Sequence, residues 1–410
     1  MSPKSKGTLL VVGMIAGFIL SSCDTSQPFT ATSKFPKHKP SKSRFLHQRG
    51  YQLYDSSGKA RILRTMNVGG WLHWEAWMFG CELNVTKLHL GSESQLLSRF
   101  EKYYGKEAAH KFQLAIYERF ITDKDLSDIA KRGFDSIRLP LNHVMFDDED
   151  GWRRLAKVVK RVGRHKLGVF LDMHAAPGGQ SNIFTADPDK VLLWDDVKAQ
   201  ERLIEIWERL AKEYKTNPTI WGYDLLNEPA PPKPKQLIDL YERIISAIRK
   251  HDKEHLIILE GTGLSRNFNC FTKRLDNNVA YSPHVYLWVG KPDKQWIKSM
   301  QRLSKQHDTP VWVGEFGEDL PHDLKYLRQN FEKMSGWAIW SWKRVKQGLV
   351  GSVNMFDAPP EWWRLIKSLH PAAKEKPVMS KKQAFKALDA FLQSARRYKP
   401  HPGMKDALGR

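Results

Sequence analysis

Cysteine is scarce in this 410-residue chain, which contains only Cys23, Cys81 and Cys270. Three cysteines cannot build a disulfide framework, and their spacing does not match a structural zinc site. The sequence leaves open whether Cys81 and Cys270 pair with each other or remain two separate thiols. The His-Glu-x-x-His pattern of many zinc hydrolases is also missing. We therefore expect no metal and no cofactor, and the sequence argues against a metal hydrolase.

Acidic residues are also fewer than basic ones: the chain has 45 Asp and Glu and 66 Lys and Arg, which give a formal net charge of +21. The excess lies largely at the two ends, since residues 1–50 and residues 371–410 each carry a net charge of +7. Basic ends favour an anionic surface such as lipid head groups or a cell envelope. They contain few interleaved aromatic residues and no nucleic-acid-binding motif, so we expect no nucleic-acid partner.

The N-terminal apolar run is too short to span a membrane. Lys4 and Lys6 precede fourteen uncharged residues, 7–20, and the sequence LSSC then ends at Cys23. This segment resembles a bacterial lipoprotein signal, which implies cleavage before Cys23 and lipidation of that cysteine. Asp24 resembles an inner-membrane retention signal, although the outer membrane or cell surface stays open. We expect a lipid-anchored protein of a bacterial cell envelope; an ordinary cleaved signal or a short uncleaved anchor is the alternative.

Composition predicts four segments along the chain. Residues 1–23 form the signal with the lipidated cysteine, and residues 24–50, rich in Ser, Thr, Pro and Lys, form a flexible linker. Residues 51–370 are predicted to form the main folded domain. Residues 371–410 form a basic C-terminal extension whose amphipathic run KKQAFKALDAFLQSA predicts a helix on the outside of the domain.

Short β-rich apolar runs alternate with segments of helical spacing through the middle of the chain. Eight such runs are present: RTMNVGG at 64, SIRLPL at 136, GVFLDMHAAPG at 168, IWGYDLLNEP at 220, HLIILEGTG at 255, VAYSPHVY at 279, PVWVGEFGE at 310 and WAIWSWK at 337. This alternation predicts an α/β fold, a (β/α)8 TIM barrel, with a long insertion after the first strand from about residue 71 to residue 135. An open doubly wound sheet is the alternative, but no Gly-rich phosphate loop follows the first strand.

Polar and aromatic side chains stand at the ends of the predicted strands. In a TIM barrel the strand interiors are packed, so reacting groups are presented at the C-terminal strand ends. Such groups are costly to bury without a purpose. The candidates are Arg138, His174, Asn227, Glu228, His284, Tyr286, Glu315, Trp340 and Trp342.

Two of these side chains, Glu228 and Glu315, end the fourth and seventh strands and are predicted to meet across the barrel mouth. Paired carboxylates in a cleft suit acetal hydrolysis, because one protonates the leaving oxygen while the other attacks the anomeric carbon or activates water. The alternative is that each is a structural acid paired with a basic residue.

The ordered motifs MNVGGWLHWEAW, IRLPLN, LDMHAAPGGQ, DLLNEP, PHVY, VGEFG and GWAIWSWK resemble those of glycoside hydrolase family 5, the cellulase family, and are most similar to its exo-β-1,3-glucanase-like members. The resemblance covers about residues 62–345. It implies a retaining β-glycosidase that acts on a β-glucan or β-glucoside, with Glu228 as acid/base and Glu315 as nucleophile.

The resemblance also implies roles for the other motif residues. Arg138 would hold Glu315 ionised, Asn227 would bind the sugar 2-hydroxyl, and Tyr286 would bond to the nucleophile. His174 and His284 would bind hydroxyls or orient the carboxylates, and Glu75 would reach the terminal sugar. Trp340 would be the stacking floor under the sugar, with Trp342 as an open alternative.

Tryptophan is abundant, with 15 residues, and suits a carbohydrate ligand because flat rings pack against the C–H faces of sugars. Those at strand ends or in the following loops are Trp71, Trp74, Trp77, Trp194, Trp288, Trp340 and Trp342. The motifs also depart from the glucanase-like pattern. Ala76 replaces a proline, and Trp342-Lys343-Arg344-Val345 lacks the acid that usually ends the last motif, so linkage preference stays open.

Other functions on the same scaffold stay open: an endo-β-glucanase or mannanase, a transglycosylase, or an inactive carbohydrate-binding envelope lipoprotein. We expect a carbohydrate substrate, a membrane contact through the anchor, and a monomer.

Overall fold

The computed structural model describes residues 44–81, 91–287, 294–318, 320–346, 352–374 and 377–409. The predicted signal with Cys23 and Asp24, most of the predicted linker, and Trp288 lie outside these residues. Within them, no helix is both long and apolar enough to cross a bilayer.

The described chain forms the predicted parallel barrel. Its strands, labelled β1 to β8, are Leu63–Asn67, Ser136–Asn142, Gly168–Ala175, Ile220–Asp224, Leu256–Leu259, Val279–Tyr281 with His284–Val285, Val313–Phe316 and Gly336–Ile339. Neighbouring strands pair in parallel in this order, and β8 pairs with β1 through Gly336 opposite Leu63. The two parts of β6 lie at the ends of the hydrogen-bonded strand order.

The barrel closes through β6, which is interrupted at Ser282 and Pro283. Its first part bonds to the chain entering β7, with Tyr281 N–H donating to Pro310 O at 2.8 Å and Trp312 N–H donating to Tyr281 O at 2.9 Å. Its second part pairs with β7 through His284 opposite Glu315. The predicted (β/α)8 fold is therefore confirmed.

Helices surround the barrel. Those of at least nine residues, labelled α1 to α10, are Glu93–Tyr104, Lys106–Arg119, Asp123–Lys131, Glu149–Arg164, Val197–Tyr214, Pro234–His251, Lys294–His307, Pro321–Phe331, Pro360–Leu369 and Lys381–Ser394. Short polar side chains begin several of them: Asp148 accepts from Gly151 N–H before α4, and Asp196 accepts from Ala199 N–H before α5. The inner faces carry the apolar stripes that the sequence predicts, for example Leu237, Leu240 and Ile244 on α6.

The insertion after β1 contains a 3-10 turn, Ala76–Phe79, followed by α1 and α2, and α3 leads into β2. The α1 and α2 helices pack through aromatic rings, with Phe100 and Phe112 centroids 4.4 Å apart. The buried side chains of the insertion belong to the same apolar cluster as those between the barrel and its helices.

An antiparallel hairpin of His47–Arg49 and Gln52–Tyr54, extended by Ala60–Arg61, covers the N-terminal end of the barrel. Its residues Leu46 and Leu53 are buried against inward-facing barrel residues. These are Leu63, Phe170, Leu256, Ile258, Ala280, Trp312 and Ala338. We call this cluster the floor. Two apolar side chains that precede the predicted linker boundary at residue 50, Phe45 and Leu46, are also buried.

The C-terminal segment belongs to the same fold. The predicted helix is present as α10, begun by a capping box of Ser380 and Gln383, and it packs on α9 and α2. Phe391 of α10 stacks on Trp362 of α9 with centroids 3.9 Å apart. Lys399–Pro400 pairs with Asn354–Phe356, which in turn pairs with Lys343–Val345 after β8. The boundary at residue 371 therefore does not separate two packing units.

No disulfide bond joins the two described cysteines, Cys81 and Cys270. Cys81 is buried, and burial raises the pKa of the partly buried Cys270 to about 12. The question that the sequence left open is answered in favour of two separate thiols.

Candidate active site

Arg138 of β2 is the centre of the barrel mouth and is fully buried. Its Nη1 donates to Glu315 Oε1 at 2.7 Å, its Nε donates to Asp224 Oδ2 at 2.7 Å, and its Nη2 donates to Glu260 Oε1 at 2.9 Å. Asp172 Oδ1 lies 3.1 Å from Nη2. One guanidinium thus joins carboxylates from β3, β4, β5 and β7.

Four acids around one cation leave an excess of negative charge. Burial and the neighbouring carboxylates Glu260 and Asp172 raise the pKa of Asp224 well above its ordinary value, against the attraction of Arg138. The shift favours the protonated form of Asp224. Burial alone would lower the pKa of Arg138, but the surrounding carboxylates raise it, so the guanidinium stays charged.

Glu315 stands at the end of β7 and is held from two sides. Arg138 donates to its Oε1, and the hydroxyl of Tyr286 donates to its Oε2 at 2.8 Å. Burial pushes the pKa of Glu315 up, but the charges of His284 and Arg138 together bring it below its ordinary value. Gly314 lets Glu315 approach, since an added Cβ there would lie 2.0 Å from Ser282 Oγ. The structure places Arg138 and Tyr286 at the predicted nucleophile.

Glu228 follows β4 and faces Glu315. Its side chain is 14% exposed, compared with 6% for Glu315, so it is the more accessible of the two. Its backbone has φ +45°, a left-handed conformation that costs a non-glycine residue about 1–3 kcal/mol. Burial raises the pKa of Glu228 above its ordinary value, although the neighbouring His284 opposes the shift.

The two glutamates meet as predicted. One carboxylate oxygen of each, together with a ring nitrogen of His284, lie within 4.8 Å of one another. The same three side chains could hold a metal ion by geometry alone. In the structure, however, His284 Nδ1 contacts Glu228 Oε1 at 3.0 Å, and both oxygens of Glu315 accept hydrogen bonds. A metal ion would have to displace these contacts.

A second group of predicted residues lies on the β1, β3 and β8 side of the mouth. His174 Nδ1 bonds to Asp172 Oδ2 at 2.7 Å, and its Nε2 lies 3.5 Å from Glu75 Oε1. Burial alone would lower the pKa of His174, but Asp172 raises it above its ordinary value. Trp340 stacks on the His174 ring with centroids 5.2 Å apart. The turn after β1 passes close to this tryptophan, because a Cβ at Gly69 would lie 2.8 Å from its ring.

Asn227 links the two groups. Its Oδ1 accepts from Arg138 Nη2 at 3.0 Å, and its Nδ2 lies 3.4 Å from His174 Nε2. Its backbone is fixed by Gln180, whose amide donates to Asn227 O at 2.8 Å. The amide therefore lies between the catalytic candidates and the Glu75–His174 pair.

The other tryptophans divide between the site and the core. Trp342 is fully buried, and its Nε1 donates to Asp125 Oδ1 at 2.8 Å, so of the two tryptophans after β8 it is Trp340 that lies against the site. Trp77 Nε1 donates to Glu75, which fixes that carboxylate. Trp71, Trp74 and Trp194 are buried within the core, a placement that composition does not distinguish from a sugar-binding one.

Sequence reasoning missed four buried polar residues of the mouth: Asn67, Asp172, Asp224 and Glu260. Each faces inward at or near the C-terminal end of its strand and contacts Arg138. The available signal was an acid or amide inside an apolar run, as in LIILE, where strand alternation places Glu260 on the same face as Leu256 and Ile258.

Residues 102–346, more than half of the chain, match the cellulase family, glycosyl hydrolase family 5. The chain is 30% identical over 362 residues to a β-xylosidase of Phanerodontia chrysosporium, covering 77% of this chain and 74% of that protein. It is 27% identical over 289 residues to a probable glucan 1,3-β-glucosidase A of Emericella nidulans, covering 65% of this chain and 70% of that protein.

Solved structures agree on the fold. An endogalactoceramidase superposes with a TM-score of 0.55 at 21% identity, covering 73% of this chain and 75% of that one. A rutinosidase from Aspergillus niger superposes with a TM-score of 0.59 at 14% identity, covering 71% of this chain and 92% of that one. At such identities the likeness concerns the fold alone. The family match and the two related sequences confirm the predicted family: the chain belongs to glycosyl hydrolase family 5 and is a glycoside hydrolase.

Proposed function

We propose that this protein is a retaining β-glycosidase that hydrolyses a β-glucan or β-glucoside, with Glu228 as acid/base and Glu315 as nucleophile. One observation carries the proposal: the two carboxylates approach within 4.8 Å, and their pKa values shift in opposite directions. Retaining enzymes place their carboxyl groups about 5–5.5 Å apart, whereas inverting enzymes need about 6.5–9.5 Å for a water molecule. Opposed pKa shifts are how one site keeps an acid and a base together.

The first step forms a covalent glycosyl-enzyme. A carboxylate oxygen of Glu315 attacks the anomeric carbon while the bond from that carbon to the leaving oxygen breaks, and the leaving oxygen takes the proton of Glu228. Arg138 and Tyr286 suit this step, because their hydrogen bonds orient Glu315 and keep it ionised.

The second step releases the sugar. Glu228, now a carboxylate, takes a proton from water as the water oxygen attacks the anomeric carbon, and the bond from that carbon to Glu315 breaks. Two inversions give net retention. Asn227 is placed to donate to the sugar 2-hydroxyl, an interaction that strengthens in the transition state.

The side of the site that contains Trp340 suits a sugar ring. Trp340 offers a flat apolar face, and the adjacent Glu75 and His174 offer polar atoms for hydroxyl groups. Names of relatives are compatible with glucosides and also with xylosides, since they include a glucan 1,3-β-glucosidase and a β-xylosidase. The two possibilities are tested by measuring hydrolysis of matched aryl β-glucosides and β-xylosides. Faster hydrolysis of the xyloside would mean that the proposed substrate is a β-xyloside and not a β-glucoside.

The chemistry is tested by trapping the intermediate. A 2-deoxy-2-fluoro β-glucosyl fluoride should label the protein, and peptide mass spectrometry should find the sugar on Glu315. Glu315→Gln should abolish labelling and activity, whereas Glu332→Gln, which removes an acid that pairs with Arg328 in the structure, should keep both. Release of the inverted anomer from substrate, followed by NMR, would contradict the retaining assignment.

We also propose that a lipid on Cys23 holds the protein at a bacterial cell envelope. The support is the basic and apolar pattern of residues 4–23 and the basic ends of the chain. In a bacterial host, the wild type should incorporate labelled palmitate and sediment with membranes, and Cys23→Ser should do neither. Unlabelled wild-type protein would refute the anchor without affecting the glycosidase assignment.

A further inference from the structure

Glu260 is a third glutamate at the barrel mouth. It follows β5 directly and is fully buried. The hydroxyl of Tyr241 on α6 fixes its main chain, accepting from Glu260 N–H at 3.2 Å and donating to Glu260 O at 3.1 Å. The side chain therefore has a defined position beneath the catalytic pair.

The first notable contact of Glu260 is with the main chain of Glu228. Glu260 Oε2 accepts from the Glu228 N–H at 2.7 Å. That residue has the unfavourable φ of +45° and precedes Pro229, which restricts its backbone further. A buried charged acceptor on this N–H can offset the conformational cost, because hydrogen bonds to charged groups contribute about 1.5–3 kcal/mol.

The second contact is with His284. Glu260 Oε1 lies 3.1 Å from His284 Nε2, while His284 Nδ1 lies 3.0 Å from Glu228 Oε1 and 3.6 Å from Glu315 Oε2. The imidazole is thus surrounded by three carboxylates. Burial would lower the pKa of His284, but Glu260 and Glu315 raise it well above its ordinary value.

The partners of Glu260 are all hydrogen-bond donors or cations: Arg138, the Glu228 N–H and His284. A carboxylate has two accepting oxygens and suits this environment, whereas an amide would turn an N–H group towards a donor. A simple counter-ion for Arg138 would need only the first of these contacts.

We propose that Glu260 is a positioning residue for acid catalysis, which holds Glu228 in its left-handed backbone conformation and fixes His284 between the two catalytic carboxylates. This inference rests on the proposed function, because it assigns Glu228 as the proton donor. Glu260 acts through Glu228 and His284 and does not touch the reacting atoms.

Substrates with different leaving groups distinguish this role of Glu260 from a general destabilisation of the protein. Departure of 2,4-dinitrophenolate needs no proton, whereas departure of phenol does, so a misplaced Glu228 slows the second reaction selectively. For Glu260→Gln we expect kcat/KM to fall about 100-fold on phenyl β-glucoside and less than about 5-fold on 2,4-dinitrophenyl β-glucoside.

Asp224→Asn is the matched control. Asp224 is equally buried and bonds to the same arginine through Nε, and its side chain already favours the protonated state that an amide mimics. We expect this variant to slow both substrates by the same factor. A selective loss in Asp224→Asn as large as that in Glu260→Gln would overturn the inference.

Equal losses on the two substrates for Glu260→Gln, or no loss, would also overturn it. Should that variant fail to fold by circular dichroism, Glu260→Asp, which keeps the charge but withdraws it by one methylene, is measured by the same criterion. If the wild type is inactive on both glucosides but active on the matched xylosides, the variants are compared on the xylosides by the same criterion. A wild type inactive on every aryl β-glycoside would overturn the proposed function and this inference together, whereas unselective loss overturns the inference alone.

Discussion

The two ends of the barrel use the same inward-facing strand positions for opposite purposes. At the floor, Phe170 of β3 and Leu256 of β5 pack in an apolar cluster. Two to four residues further along the same strands, Asp172, His174 and Glu260 occupy the same face and bind to one another or to Arg138. The hydrogen-bonded strands are continuous between the ends, so the backbone does not decide the difference.

The comparison indicates that residues at the floor stabilise the fold, whereas residues at the mouth serve the chemistry. Burial of apolar surface at the floor contributes about 25 cal/mol per Å² to stability. The mouth buries several acids around one arginine, an arrangement that is weak evidence for stability because desolvation opposes attraction. We expect substitutions at the floor to change folding and substitutions at the mouth to change catalysis.

The largest effect is expected at the mouth. Glu315→Gln should lower kcat on an aryl β-glycoside by at least about 10⁴-fold, because the proposed nucleophile is removed. Its melting temperature should stay within about 4 °C of the wild type, measured by circular dichroism. A large drop in melting temperature with residual activity would show that Glu315 serves stability more than catalysis, against the expected division between floor and mouth.

The next effect is expected at the floor. Leu53→Ala should lower the free energy of unfolding by about 2–5 kcal/mol, because it opens a cavity beside Leu63 and Phe170. Activity per folded molecule should not change. Leu320→Ala is the control, since that leucine is 54% exposed and its truncation should change stability by less than about 0.5 kcal/mol. Urea denaturation and active-site titration measure the two quantities.

A third, smaller effect concerns pH. The pKa of Glu315 is lowered from its ordinary value of 4.5, and the proposed nucleophile must be ionised to react. Activity should therefore rise with pH along an acid limb that lies below pH 4.5. The pKa of Glu228 is raised from its ordinary value of 4.5, and the proposed proton donor must be protonated to act. Activity should therefore fall with rising pH along an alkaline limb that lies above pH 4.5. Each limb should change kcat/KM about tenfold per pH unit.

The substitution Glu228→Gln is the control for this profile. It should abolish the alkaline limb and leave the acid limb, measured as the residual kcat/KM on phenyl β-glucoside, whose leaving group needs the proton. A persisting alkaline limb would assign it to another group, such as His284.

The smallest effect is expected outside both ends. Lys235 and Asp239 pair on the exposed face of α6 at 2.6 Å, with side chains 82% and 51% exposed. Asp239→Asn should change the free energy of unfolding by less than about 0.5 kcal/mol and leave kcat/KM unchanged. This variant sets the baseline for the other substitutions, and a larger change would show that the barrel wall contributes more than the comparison assumes.

The sequence predicts the fold well because strand ends and helical stripes are local patterns. Glu228 and Glu315 could be singled out because each follows an apolar strand at a conspicuous motif, and the barrel topology brings their ends together. Trp340 could be separated from Trp342 only by structure, since both follow the same strand and the partner of Trp342, Asp125, is 217 residues away in sequence.

The missed residues have a common physical reason. Asp172, Asp224 and Glu260 appear in the sequence only as acids in or directly after apolar runs, and no local pattern shows that they share Arg138 as a partner. The packing of residues near the predicted domain boundaries also depends on long-range contacts. Leu46 lies in a segment of linker-like composition, yet it packs on residues more than 200 positions later, such as Leu256.

The hairpin at the floor fixes where the upstream chain joins the barrel. Phe45 packs on His255, just before β5, and Gln48 bonds to Asn278, just before β6. A carrier protein or solid support attached ahead of Arg44 would approach from the side opposite Glu228 and Glu315. Immobilisation through that end should leave the opening at Glu228 and Glu315 accessible from solution.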